Sequence, residues 1–128
     1  VKTIFLIDDD ADDREIFQAA LDSLNFPHTY VEARDGHEAL ELISKSSFKF
    51  PDIIFLDLNM PKVGGHDVLI AVKKLPQYEK VPVIIYSTSS AEQEKEKCFA
   101  EGAEHFMTKH SSYEALCEEL GKIIAQML

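Results

Sequence analysis

The chain has 128 residues, 45% of them hydrophobic, which is enough apolar mass for one core and too little for two, so a single domain over residues 1–128 is expected. Its 13 lysines and arginines against 23 aspartates and glutamates leave a formal charge of -10, which argues against nucleic acid or an anionic membrane as partner and favours cations or basic surfaces. No apolar run nears the roughly 20 residues of a membrane span, and VKTIFLIDDD meets carboxylates too early for a signal peptide, so a soluble, cytoplasmic protein is expected.

In chain order, strand-like runs alternate with helix-like ones. The pattern predicts a strand over 3–7, a helix over 11–24, a strand over 29–33 and a helix over 36–44. It continues with a strand over 52–57, a helix over 65–75 stopped before Pro76, a strand over 82–87 and a helix over 91–101. A strand over 104–108 and a helix over 112–127 complete five β-α pairs. Ile16, Phe17, Ala20, Leu21 and Leu24 share one face of the first helix, and Leu116, Leu120, Ile123, Ile124 and Met127 one face of the last; both faces are expected in the core. Residues 4–7, 53–56 and 83–86 are continuous apolar runs, as in central parallel strands, whereas Thr29-Tyr30-Val31-Glu32 reads as an edge. Alternating β-α units imply an α/β fold of three layers, a doubly wound parallel sheet with helices on both sides. Cys98 and Cys117 lack CxxC spacing and are expected as buried free thiols. The fourth helix offers few apolar anchors beyond Ala91, Cys98 and Phe99, so it is expected to be mostly exposed and loosely held.

In such a sheet the ligand site lies beyond the carboxyl ends of the strands. The first strand ends in Asp8-Asp9, the third in Asp57, the fourth in Ser87-Thr88 and the fifth in Thr108-Lys109. Like charges about 4 Å apart repel by roughly 4 kcal/mol at an effective dielectric near 20, so the three acids call for a cation. An all-oxygen set suits Mg²⁺ or a similar hard ion. A calcium loop starting at Asp8 fails, because its glycine position falls on Asp13 and its closing glutamate on Ala19. Asp10, Asp12 and Asp13 are expected to cap and charge the start of the first helix. Asp57, a carboxylate at the end of a greasy strand, is placed to attack a phosphoryl donor and hold the phosphate as an acyl phosphate. A metal ion would neutralise one equatorial oxygen, Lys109 another, and the Ser87 hydroxyl or nearby amides the third.

The acidic pair Asp8-Asp9, the run FLDLNMP with Asp57, Ser87 after PVIIYS, and Lys109 together resemble the receiver (CheY-like) domains of two-component response regulators, over the whole chain. LDLNMPKVGGHDVL and Lys109-His110 are most similar to small stand-alone receivers paired with phytochrome-type and hybrid sensor kinases. The resemblance implies a flavodoxin-like (βα)5 fold with strand order 2-1-3-4-5. It implies that Asp57 accepts phosphate from a histidine of a sensor kinase or phosphotransfer protein. It further implies that Asp9, Asp57 and the Asn59 carbonyl hold Mg²⁺ (or Mn²⁺) directly, and that Asp8 acts through water. Self-phosphorylation at Asp57 and slow autodephosphorylation, not classical enzyme turnover, are expected, with a phosphorylation-linked homodimer as a further partner.

The chain departs from the family pattern twice. The aromatic switch falls on Phe106, which has no hydroxyl, and the usual Lys-Pro is Lys109-His110. A cis bond before histidine costs about 2.5–4 kcal/mol, so a trans bond is expected there, with Lys109 directed at Asp57. A haloacid-dehalogenase-type phosphatase is the enzymatic rival, but it needs a second aspartate where Asn59 stands. A flavodoxin-like FMN binder is disfavoured by the charge of DDDADD. A receiver-shaped docking module that is never phosphorylated is the third alternative. His28, His37, His66, His105 and His110 show no ligand spacing and are expected at the surface. The absence of Met at position 1 reads as trimming or as a cut from a longer protein. Nothing after Leu128 encodes a DNA-binding output domain in this sequence, so output is expected to pass through partner binding.

Overall fold

The computed structural model describes residues 1–89, 91–109 and 112–128. Its elements are β1 (Lys2–Ile7), α1 (Ala11–Ser23), β2 (His28–Ala33), α2 (Gly36–Ser44), β3 (Ile53–Leu56), α3 (Gly65–Lys73), a 3₁₀ turn (Pro76–Tyr78), β4 (Val83–Ser87), α4 (Glu92–Ala100), β5 (His105–Thr108) and α5 (Tyr113–Met127). The strands form one parallel five-stranded sheet in the order β2-β1-β3-β4-β5.

Successive strand residues point to opposite faces, and here both faces are covered, which is why the central strands read as unbroken apolar runs. Phe5, Ile7, Ile54, Leu56, Val83 and Ile85 pack on one side with Ala39 and Ile43 of α2 and Val68, Leu69 and Val72 of α3. Ile4, Leu6, Ile53, Phe55, Ile84 and Tyr86 pack on the other with Phe17 and Leu21 of α1 and Leu116, Leu120 and Ile123 of α5. The helix starts follow from side-chain caps. Asp10 accepts from the Asp13 N–H, Asp35 from the Glu38 N–H and Ser112 from the Ala115 N–H. At the far end of α3, Leu75 is extended because Pro76 follows it, and the helix stops two residues before the expected boundary.

Two expectations about packing are corrected. Ile16 is 45% exposed, since α5 covers Phe17, Ala20 and Leu21 but leaves Ile16 in a surface groove beside Tyr113. Phe99 is also exposed, so the buried side chain of α4 is Cys98. Both cysteines are free, Cys98 buried and Cys117 half-buried. The Lys109-His110 bond lies outside the described residues. No helix among the described residues is long and apolar enough to cross a membrane.

Candidate functional site

The strand ladders run on past the strand ends and carry the polar residues with them. Asp8 N–H donates to the Ala33 carbonyl at 3.2 Å, Asp57 N–H to Ile7 at 2.9 Å and Lys109 N–H to Ser87 at 2.7 Å. Asp8, Asp57, Ser87 and Lys109 are therefore fixed by the sheet itself. The loop after Asp57 folds back tightly, with Gly65 N–H on the Leu58 carbonyl at 3.1 Å. A Cβ on Gly65 would collide with the Asp57 carbonyl and the Leu58 backbone, so glycine is required there by close approach.

Asp8 and Ser87 are fully buried and Asp57 is 4% exposed, whereas Asp9 and Asn59 are exposed. Asp8 Oδ1 accepts from the Asp10 N–H at 3.0 Å, and Asp57 Oδ1 from the Asn59 N–H at 3.4 Å. Lys109 Nζ lies 2.8 Å from Asp8 Oδ2, 2.8 Å from Asp13 Oδ2 and 3.7 Å from Asp57 Oδ2. Its ammonium also sits 5.3 Å from the centre of the Tyr86 ring. Ser87 Oγ accepts from the Ser89 N–H at 3.2 Å, which leaves the hydroxyl proton available. A cavity of about 340 Å³ opens over the cluster, lined by Asp9, Asp13, Asp57, Asn59, Thr88 and Lys109 among others.

Burial pushes the Asp57 carboxyl up to about 7; Lys109 pulls it back and Asp8 pushes it further up. Asp8 is raised as well, by burial first, against the contact with Lys109. Burial pulls the Lys109 ammonium down, but its bonds to Asp13 and Asp8 together hold it above the usual lysine range. One lysine thus leaves the carboxylates under-neutralised. Asp8, Asp9 and Asp57 each place a carboxylate oxygen within 4.8 Å of the other two. Among the described residues the buried Asp8 Oδ2 pairs with the Lys109 ammonium at 2.8 Å and accepts no other hydrogen bond. An all-oxygen set with excess negative charge and an open side fits a hard divalent cation.

The six expected site residues, Asp8, Asp9, Asp57, Asn59, Ser87 and Lys109, thus all lie at one edge of the sheet. Two others were missed. Asp13, expected only to charge the helix start, reaches Lys109; side chains of a first helical turn lean back toward the helix N-terminus, and that direction was the available signal. Arg14 donates from Nη1 to the Asp8 carbonyl at 2.9 Å and from Nε to Glu32 at 3.1 Å, which ties α1 and the edge strand to the acidic loop. Phe106 is buried on the sheet face that carries α2 and α3, with the Lys95 ammonium 5.6 Å from its ring centre. His66, expected as a plain surface residue, is half-buried and joins α3 to Glu94 of α4 and to Glu101 just past its end.

The family profile for the response regulator receiver domain matches residues 4–121. Response regulator Rcp1 of Synechocystis is 31% identical over 97 residues, 73% of this chain and 66% of that protein, just under two thirds of its length. Two-component response regulator ORR11 of rice is 32% identical over 108 residues, 83% of this chain and 69% of that one. The crystal structure of the phosphorylated cyanobacterial phytochrome response regulator RcpA is similar with a TM-score of 0.86 at 33% identity, covering 95% of this chain and 90% of its own. The Mn²⁺-bound form of Rcp1 gives 0.87 at 26% identity, covering 98% and 93%.

Proposed function

The chain belongs to the response regulator receiver domain family, and on that premise we propose that residues 1–128 form one receiver domain that takes a phosphoryl group onto Asp57 from a phosphohistidine. The donor is a sensor histidine kinase or a phosphotransfer protein. The observation that carries this reading is the Asp57 carboxylate: almost buried at the tip of a central strand, 3.7 Å from an ammonium, and facing an open polar cavity.

A carboxylate oxygen of Asp57 attacks phosphorus in line; the P–O bond forms as the P–N bond to the donor imidazole breaks, and the imidazole leaves with that electron pair and takes up a proton. Lys109 neutralises one phosphoryl oxygen, and the Ser87 hydroxyl donates to another. Asp9, Asp57 and the Asn59 carbonyl, with Asp8 behind them, would hold Mg²⁺ or Mn²⁺, the latter seen in the related Rcp1 structure, and such an ion would supply the remaining neutralising charge. The raised carboxyls of Asp57 and Asp8 support that assignment, since a bound cation relieves them.

Phosphorylation then shifts the balance between two arrangements of β4, α4 and β5 as Ser87 engages the phosphate, with Phe106 following by packing alone. Its readout is partner binding through α4, β5 and α5, including a phosphorylation-linked homodimer, in the cytoplasm and without nucleic acid or membrane. The docking-module and phosphatase alternatives gain nothing from the geometry. The acceptor set is assembled at one edge, and Asn59 cannot act as the general acid that a phosphatase needs there. Acetyl phosphate with Mg²⁺ is expected to add one phosphate, read by intact mass, to wild type and none to Asp57→Asn. An equally modified Asp57→Asn protein would move the acceptor elsewhere.

A further inference from the structure

The phosphoacceptor reading gives tasks to Asp8, Asp9, Asp57, Ser87 and Lys109 and leaves one carboxylate of the site without one. Asp13 Oδ2 accepts a hydrogen bond from Lys109 Nζ at 2.8 Å, across 96 positions of sequence, whereas Asp57 Oδ2 stands 3.7 Å from the same nitrogen. The ammonium is held between Asp13 and Asp8, both at 2.8 Å, and its side chain is only 10% exposed, so water is no ready substitute for either partner. Asp13 is itself fixed. Its N–H is bonded to the Asp10 carboxylate at 3.0 Å, and the next residue, Arg14, is bonded to the Asp8 carbonyl at 2.9 Å.

We propose that Asp13 is a positioning residue for Lys109: in the unphosphorylated chain it holds the ammonium back from Asp57, and the lysine must leave it to reach a phosphoryl group. The proposal rests on Asp57 as phosphoacceptor. A hydrogen bond between two ions is about twice as strong as one between neutral groups, so its release opposes retention of the phosphoryl group. Asp13 thereby sets how far the chain favours its unmodified state. Asp12, exposed in the same helical turn, carries the same charge and makes no contact with Lys109 among the described residues. It separates the contact from the general field of the acidic loop.

The test is calorimetric titration of beryllofluoride, an acyl-phosphate mimic, into the full chain under saturating Mg²⁺, for wild type, Asp13→Asn, Asp13→Glu and Asp12→Asn. Hydrogen exchange of the Lys109 ammonium is followed by nitrogen NMR in the metal-free proteins. Asp13→Asn is expected to tighten beryllofluoride binding about tenfold, as loss of a charge-assisted bond implies. Asp12→Asn should change it by less than about twofold, since an exposed charge is screened. Asp13→Glu should restore binding close to wild type, and the Lys109 protons should exchange faster in Asp13→Asn alone. Equal effects of Asp13→Asn and Asp12→Asn, weaker binding by Asp13→Asn, or unchanged Lys109 exchange would overturn the role of Asp13 and leave Asp57 in place. A wild-type chain that binds no beryllofluoride overturns the Asp57 reading and this proposal with it. Asn and Glu preserve most of the side-chain volume at this helix start, so the variants are expected to fold.

Discussion

Replacing Asp57 by Asn should make the metal-free protein more stable at neutral pH, although it removes the proposed acceptor. Burial moves the Asp57 carboxyl from 3.8 to about 7 in the folded chain. Between those values the folded state binds a proton that the unfolded state has lost, so this group's stability is fully present below about pH 4 and is lost as pH rises through 7. At about 1.4 kcal/mol for each tenfold change in proton affinity, the ionised folded state gives up about 4 kcal/mol. That figure already includes the attraction of Lys109, 3.7 Å away; a buried asparagine amide with unpartnered N–H groups costs about 1 to 2 kcal/mol in its place, so the expected net gain is about 2 to 3 kcal/mol at pH 8. For a chain of this length that is a rise of about 6 to 15 °C in Tm. The assay is thermal unfolding of wild type and Asp57→Asn in chelator from pH 4.5 to 8.5, read as the difference between the two proteins so that other titrating groups cancel. The difference should be small at pH 4.5 and grow through pH 7. Parallel curves, or a wild type that gains on the mutant as pH rises, would show that Lys109 already neutralises Asp57 and would refute the reasoning.

Millimolar Mg²⁺ should raise the Tm of wild type, the gain in stability being about 2 to 3 kcal/mol at 100 times its Kd by mass action alone. Asp9→Ala should remove most of that response, and a wild-type melting curve indifferent to Mg²⁺ would count against the acidic cluster as its site. Sedimentation of the chain with Mg²⁺, with and without beryllofluoride, should show the larger mass only with both; an unchanged mass would remove the homodimer from the account.

Much of this architecture is legible in the residue order because the physics is local. Short apolar runs such as Ile53-Ile54-Phe55-Leu56, rich in β-branched residues and flanked by Pro51 and Pro61, read as strands covered on both sides, and a parallel sheet gathers the residues just beyond each strand at one edge. That is enough to bring Asp8, Asp57, Ser87 and Lys109 together on paper. The misses share a different cause, which is long-range geometry. Ile16 satisfies the helical period of its neighbours, yet the neighbouring helix does not cover it, and no pattern within α1 says where α5 stops. Asp13 has an adequate local role as part of a helix start, and only the placement of β5 relative to α1 shows that its carboxylate meets Lys109. Arg14 is a lone cation among six acids in residues 8–15. Its bond to the Asp8 carbonyl depends on the curl of a loop, which side-chain type does not encode.

Along β4, Ile85 faces α2 and α3, its neighbour Tyr86 faces α1 and α5, and Ser87 ends the strand at the acidic edge. A tug on Ser87 therefore loads both flanks of the molecule at once. Close-packed interiors do not yield by degrees, so neither flank can absorb the displacement privately. On the proposed reading, one chemical event at the strand tip would be broadcast instead of routed, and partners on opposite sides of the domain would sense the same phosphoryl group.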